Sequence, residues 1–166
     1  MEKIEFIPVT DEKLIVSTQA LADEIWREHY QPILGLTQVE YMLKNLQSKE
    51  AISNQIQEGY LYYLLQSLAG WLGYLAVTVK DRELFLSKLY LLRQYRNKGY
   101  GRQAVNFIEG LAKLKGLKKI SLTVNKHNAS SIEAYRKFGF LISGAQVQDI
   151  GNGFSMDDYL MCKEVV

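Results

Sequence analysis

Three cations and two glycines share seven consecutive positions, Arg96-Asn97-Lys98-Gly99-Tyr100-Gly101-Arg102. An alternating run, Glu83–Leu91, precedes them, and an amphipathic run, Arg102–Lys115, follows. A strand, a glycine loop and a helix N-terminus together form an anion site. Unpaired backbone N–H groups point outward there, and the helix dipole favours negative charge. Glycine reaches positive φ and lets a phosphate come close. Arg96, Lys98 and Arg102 would add charge-assisted contacts. The wider segment Lys88–Lys137 holds 12 Lys/Arg against Glu109 and Glu133, in a chain whose net charge is only +2. A solvated basic face gives this pattern, and so does a site for a multiply charged anion. The rest of the chain is acidic, which speaks against a nucleic-acid surface.

Several loop types compete for this segment. A Walker loop needs Gly-x-x-x-x-Gly-Lys-Ser/Thr, which is absent. Gly99-Tyr100-Gly101-Arg102-Gln103-Ala104 matches Gly-x-Gly-x-x-Ala, the dinucleotide pattern. That pattern sets its first glycine at the strand end, with an acid about 20 residues on. Here seven residues separate Leu91 from Gly99, and the next strand ends at Val124-Asn125. A plain glycine turn opening a helix is the remaining structural reading.

The loop, as Arg-x-x-Gly-x-Gly after a strand, resembles the pyrophosphate loop of the GNAT superfamily of N-acetyltransferases. The run Asn125-Lys-His-Asn128-Ala-Ser-Ser-Ile-Glu-Ala-Tyr135-Arg-Lys-Phe-Gly139-Phe140 is similar to that family's Asn-(x)6-Tyr-(x)3-Gly-Phe segment. The ending Met156-Asp-Asp-Tyr159-Leu-Met161-Cys-Lys163 is similar too. The motifs span residues 60–163, and the element order matches over the whole chain. The resemblance implies an α+β fold: a six- to seven-stranded twisted mixed sheet, splayed between strands 4 and 5, with four to five helices. It implies acetyl-CoA in the gap as co-substrate, and no metal.

Acetyl transfer to an amine requires a held acyl donor, a polarised carbonyl, a neutral amine and a protonated thiolate. The resemblance puts the pyrophosphate on Arg96, Asn97, Lys98, Gly99, Tyr100, Gly101 and Arg102. It puts the pantetheine arm on the backbone of Leu89, Tyr90 and Leu91, paired like an added strand. The Leu91 N–H would polarise the thioester carbonyl. Tyr135 matches the family tyrosine whose hydroxyl lies near the sulfur. A phenol has a pKa of about 10, so it is protonated at pH 7 and can donate. Packing on the core is the alternative role for a helical tyrosine. Asn128 would bond the pantetheine amides, cap a helix, or do both; Asn125 is a weaker candidate. The family's strand glutamate is replaced by Phe85, and Glu83 reads as exposed, so no base is named.

The resemblance builds the acceptor site from the first helices and the last strand pair. Trp26, Tyr30, Tyr41, Asp157 and Asp158 are the candidates. Acids beside aromatics suit a cationic amine, whether a small amine, a polyamine or a peptide amine. Core packing for Trp26 and Tyr30, and a solvated strand end for Asp157-Asp158, are the alternatives. A non-catalytic acyl-CoA-binding module is the rival function. A covalent acetyl-cysteine route is disfavoured, because no histidine neighbours Cys162 in sequence to activate it.

These residues need elements to hold them. The chain has 166 residues, 48% hydrophobic and 23% charged, ordinary for one globular domain. Cys162 is the only cysteine, which excludes an internal disulfide and a multi-cysteine zinc site. His29 and His127 show no ligand spacing. No signal peptide or apolar span of about 18 residues is seen, so the cytoplasm is expected and a membrane partner is not. The pattern predicts a strand at Ile4–Ile7 and a helix from Glu12 to His29, capped by Asp11. Pro32 and Gly35 punctuate, and Thr37-Gln-Val-Glu40 reads as a capping box. A helix from Ser48 to Gly59 follows, then strands Tyr60–Gln66, Trp71–Lys80 and Glu83–Leu91. Beyond the helix after the glycine loop come a strand at Lys118–Val124, a helix at Ala129–Phe138, and a strand pair around Gly151-Asn152-Gly153. Exposed final strands could pair two copies into a homodimer.

Overall fold

The computed structural model describes all residues, Met1–Val166. Its order is β1 (Glu5–Pro8), α1 (Glu12–Leu34), α2 (Leu36–Leu46), α3 (Lys49–Gln57), β2 (Leu61–Ser67), β3 (Gly70–Lys80), β4 (Glu83–Leu91), a 3₁₀ turn at Arg93–Tyr95, α4 (Tyr100–Leu114), β5 (Lys119–Asn125), α5 (Ala129–Lys137), β6 (Leu141–Gly151) and β7 (Phe154–Glu164). The strands form one seven-stranded sheet in the order β1-β2-β3-β4-β5-β7-β6. The chain adopts the expected α+β class, with seven strands and five α-helices, at the upper end of the expected six to seven strands and four to five helices. The residues group into two compact units. Met1–Thr78 with Lys88–Ala104 form the first, and Val79–Ser87 with Val105–Val166 form the second.

In the first unit, Asp11 opens α1 by accepting a hydrogen bond from the Leu14 N–H at 2.9 Å. The helix then buries Leu21, Ala22, Ile25, Trp26 and Tyr30 along one stripe. It runs past His29 and takes Pro32 into its last turn, ending only at Gly35, whose φ is +85°. Proline removes one helical hydrogen bond, which is tolerated where the helix is about to stop. Thr37 lies inside α2, and Gly35 precedes that helix with no side-chain cap. The Thr37–Glu40 spacing is therefore a coincidence of composition. Ser48 does cap α3, through the Ala51 N–H. Strands β1, β2 and β3 pair antiparallel. Leu64, Leu65, Leu72, Tyr74 and Leu75 of the strands and Ile25, Met42 and Ile52 of the helices are fully buried and form this unit's core.

In the second unit, Asp81 and Arg82 take φ of +52° and +62°. This is the mirror-type turn that matches strand twist in a two-residue hairpin. β4 and β5 pair in parallel from Leu84↔Ile120 to Leu86↔Leu122. A parallel pair needs a crossover, and α4 is that connection. β5 then pairs antiparallel with β7, and β7 with β6. Leu84, Leu86, Ile108, Ile120, Leu122, Phe140 and Met161 form this unit's core.

Candidate active site

The anion loop takes its shape from two left-handed residues. Gly99 has φ +88° as its type suggests, and the other is Asn97 at +59° rather than Gly101. Asparagine is among the few side chains that visit this region readily. Gly101 belongs to α4, which starts at Tyr100, two residues before the expected Arg102. The amides of Tyr100, Gly101 and Arg102 thus fall in a first helical turn, where N–H groups have no intrahelical acceptor. Lys98 and Arg102 are exposed beside them. Arg96 differs from its neighbours. Its Nη atoms donate to both Glu28 oxygens at 3.2 and 2.8 Å, and its Nε donates to Leu91 O at 3.0 Å. Its own N–H donates to Arg93 O. The Arg96 side chain fastens the loop to α1 and to the end of β4.

The Leu89–Leu91 segment lies over glycine. A Cβ at Gly73 would come within 2.1 Å of Tyr90 O and 3.1 Å of Leu91 Cα. Only glycine lets β3 meet the β4 backbone this closely. Tyr90 is also the hub of an aromatic cluster. Its hydroxyl lies 2.9 Å from that of Tyr30, and its ring is 5.5 Å from Trp26 and 5.6 Å from Tyr74. Trp26 and Tyr30 are 3% and 8% exposed, so their bodies pack in the core. Tyr41 is half-buried on α2. Lys88, two residues before Tyr90, stands out in the sequence only as the first residue of the basic segment. Its ammonium sits 5.8 Å from the ring centres of both Tyr60 and Tyr62, and 3.5 Å from Gln55 Oε1. Burial pulls its pKa down to about 8. A polar chain continues inward, since Tyr62 OH donates to Gln55 Oε1, Gln47 donates to Tyr62 OH, and Tyr74 OH donates to Gln47 Oε1.

In the second unit, β5 ends in a polar turn. Asn125 Oδ1 accepts from the His127 N–H at 2.9 Å, and Asn128 accepts from the Ser131 N–H at the start of α5. Asn128 is therefore a helix cap and is 3% exposed. Tyr135 is half-buried on α5, and its ring meets Phe140 edge-on at 5.5 Å. Gly139, at φ +97°, reverses the chain so that Phe140 N donates to Tyr135 O and its ring is buried. That reversal is the physical content of the Tyr-(x)3-Gly-Phe spacing. Glu83 is held by Lys119 at 3.3 Å and is half-buried, not simply exposed. Phe85 lies beneath the Lys80 ammonium.

The adjacent acids of β7 have different surroundings. Asp157 pairs with Lys126 at 3.0 Å and is half-exposed. Asp158 is 4% exposed, so it is not a solvated strand end. Burial and the Asp157 charge push its pKa up to about 6, with Lys126 opposing. The expected site residues thus fall into one set on the first unit (Trp26, Tyr30, Tyr41 and Leu89–Arg102) and one on the second (Asn125, Asn128, Tyr135, Asp157 and Asp158). No helix is long and apolar enough to cross a membrane. No group of three or more His, Cys, Asp or Glu is placed to hold a metal ion.

The acetyltransferase (GNAT) family model matches residues 19–140. An uncharacterised N-acetyltransferase of Mycobacterium bovis is 34% identical over 86 residues, 52% of this chain and 54% of that protein. A probable spermine N(1)-acetyltransferase of Bacillus subtilis subsp. natto is 30% identical over 66 residues, 39% and 43% of the two chains. The chain spans about half the length of the curated relatives it matches. In fold, it is similar to the PaiA N-acetyltransferase of Thermoplasma acidophilum crystallised with coenzyme A. The TM-score is 0.79 at 22% identity, covering 98% of this chain and 99% of that one.

Proposed function

Because the chain belongs to the GNAT acetyltransferase family, we propose that it transfers the acetyl group of acetyl-CoA directly to a primary amine. The observation that carries this reading is the loop ahead of α4. Left-handed Asn97 and Gly99 flank Lys98, and such alternation turns successive N–H groups toward one anion. These donors fit a pyrophosphate. Acetyl-CoA supplies the acetyl group already activated as a thioester. The amides of Asn97 to Arg102, with Lys98 and Arg102, hold the phosphates. The backbone of Leu89, Tyr90 and Leu91 aligns the pantetheine arm, and the Leu91 N–H polarises the carbonyl. Removing one side-chain donor in that role costs other enzymes about 3–4 kcal/mol. The Tyr135 hydroxyl gives its proton to the departing thiolate, and Asn128 supports the arm while capping α5.

The acceptor is a small amine, a polyamine or a peptide amine. The relative named for spermine supports a polyamine first. The protein works as a single catalytic domain in the cytoplasm. It forms a homodimer through β6, an edge strand with Leu141 and Val147 largely exposed. Calorimetry with acetyl-CoA at low and high salt tests the loop, with NADH as the control. Micromolar, salt-sensitive binding of acetyl-CoA alone is expected; binding of NADH instead would refute the reading. Thiol release across an amine panel tests the chemistry. Tyr135→Phe should keep acetyl-CoA binding and lose most turnover. Equal, negligible turnover in both forms would leave an acyl-CoA-binding module.

A further inference from the structure

An acceptor ammonium must lose a proton before its nitrogen can attack. Along β5, Ile120, Leu122 and Val124 are buried on one face of the sheet, and Ser121, Thr123 and Asn125 lie on the other. The register with β7 pairs Ser121 with Cys162, Thr123 with Leu160 and Asn125 with Asp158. Cross-strand partners share a face, so Asp158 ends a polar strip at the same level as Asn125. Its other neighbour, Gln146 on β6, is neutral. The charged groups acting on Asp158 are Asp157, its neighbour on the strand, and Lys126, after β5, which is paired with Asp157 at 3.0 Å. Asp158 is 4% exposed, and its Oδ1 is buried with no hydrogen-bond donor. A carboxylate is normally buried only with donors around it, since leaving one unpaired is costly. Structural support for the strand would not require that cost, whereas a proton acceptor is made more basic by it.

We propose that Asp158 is the general base of the transfer, taking the proton from the acceptor's ammonium group. This rests on the acetyltransferase reading. The Asp158 carboxylate accepts one N–H proton, leaving a neutral amine. The amine lone pair forms the C–N bond, and the C–S bond breaks. The new amide nitrogen releases its second proton to solvent, the thiolate takes the one that Tyr135 gives, and Tyr135 regains a proton from solvent. Asp158 then returns its proton to solvent, so the turnover releases one proton, as the overall reaction demands. Burial and the Asp157 charge hold the carboxyl near pH 6, low enough to be ionised at pH 7 and more basic than a free aspartate.

The test combines a direct titration with kinetics. In protein carrying ¹³C-aspartate, one carboxyl signal absent from Asp158→Asn should titrate near pH 6. A signal that titrates below pH 4 would overturn the proposal whatever the acceptor. With spermidine, kcat/KM of the wild type should fall below pH 6. Asp158→Asn should lose that limb and about 10²–10⁴-fold in rate, the range of general-base catalysis. Hydroxylamine, already neutral at pH 7, should lose far less. Equal losses with both acceptors would show a merely structural role, and an unchanged profile would remove Asp158 from the chemistry. A wild type that binds no acetyl-CoA would instead refute the acetyltransferase reading, and the base with it.

Discussion

The guanidinium of Arg96 grips both carboxylate oxygens of Glu28, at 3.2 and 2.8 Å, while its Nε holds Leu91 O. One side chain thus joins helix α1, the end of β4 and the anion loop. A bidentate fork is more directional than a point charge, and lysine cannot copy it.

Arg96→Lys should therefore weaken acetyl-CoA binding by about tenfold, although the charge is kept. Glu28→Gln is the sharper test. If Arg96 acts by fixing the loop, Glu28→Gln should weaken binding as well. Tighter binding in calorimetry would mean that Glu28 merely competes with the phosphates for Arg96.

Gly73→Ala should damage the protein far from any charge. The new methyl would meet Tyr90 O at 2.1 Å, a backbone atom with no rotamer to give way. Overpacking of this kind costs about 1–3 kcal/mol. A lower melting temperature, with weaker acetyl-CoA binding as β4 shifts, is expected. Full binding and unchanged stability would show that β4 yields without consequence.

Asp158→Asn should stabilise the protein at pH 8. The folded pKa, about 6, lies above the value near 4 of an unfolded aspartate. The folded form therefore binds the proton more tightly. That contribution is complete below pH 4 and lost as pH rises through 6. The ionised side chain then costs the fold on the order of 2 kcal/mol, which the amide avoids. Melting curves at pH 4 and pH 8 should diverge only at the higher pH. A less stable variant at pH 8 would contradict the burial argument.

Lys88→Met should also stabilise, in the opposite pH window. Burial lowers the folded pKa to about 8, below the unfolded 10.5. The penalty for a protonated Lys88 is full below pH 8 and gone above about pH 10.5. A gain of roughly 1–3 kcal/mol at pH 7, shrinking toward pH 10, is expected from denaturant melts. No gain at pH 7 would mean that Tyr60, Tyr62 and Gln55 solvate the ammonium as well as water does.

Local chemistry was legible in the sequence where a few neighbouring residues decide the outcome. Asp11 and Ser48 cap their helices because a short acceptor side chain reaches the N–H three residues on. The β4–loop–α4 segment follows from alternation, glycine and helical spacing, all short-range, whereas the Tyr135–Gly139–Phe140 spacing was legible through its resemblance to the family's motif. The same local rules misplaced the end of α1, which takes Pro32 into its last turn and stops only at Gly35. They also proposed a cap at Thr37 that α2 does not use.

What only the tertiary structure decided concerns charge and close approach between distant segments. Arg96 meets Glu28 across 68 positions, and nothing in either neighbourhood announces it. Gly73 is one glycine among many until β4 lies against it. Lys88 read as part of a basic stretch, and Asp158 as half of an acidic pair at a strand end. Their pKa values depart from the ordinary because strands and helices remote in sequence remove water from them, and desolvation is a property of the assembled fold.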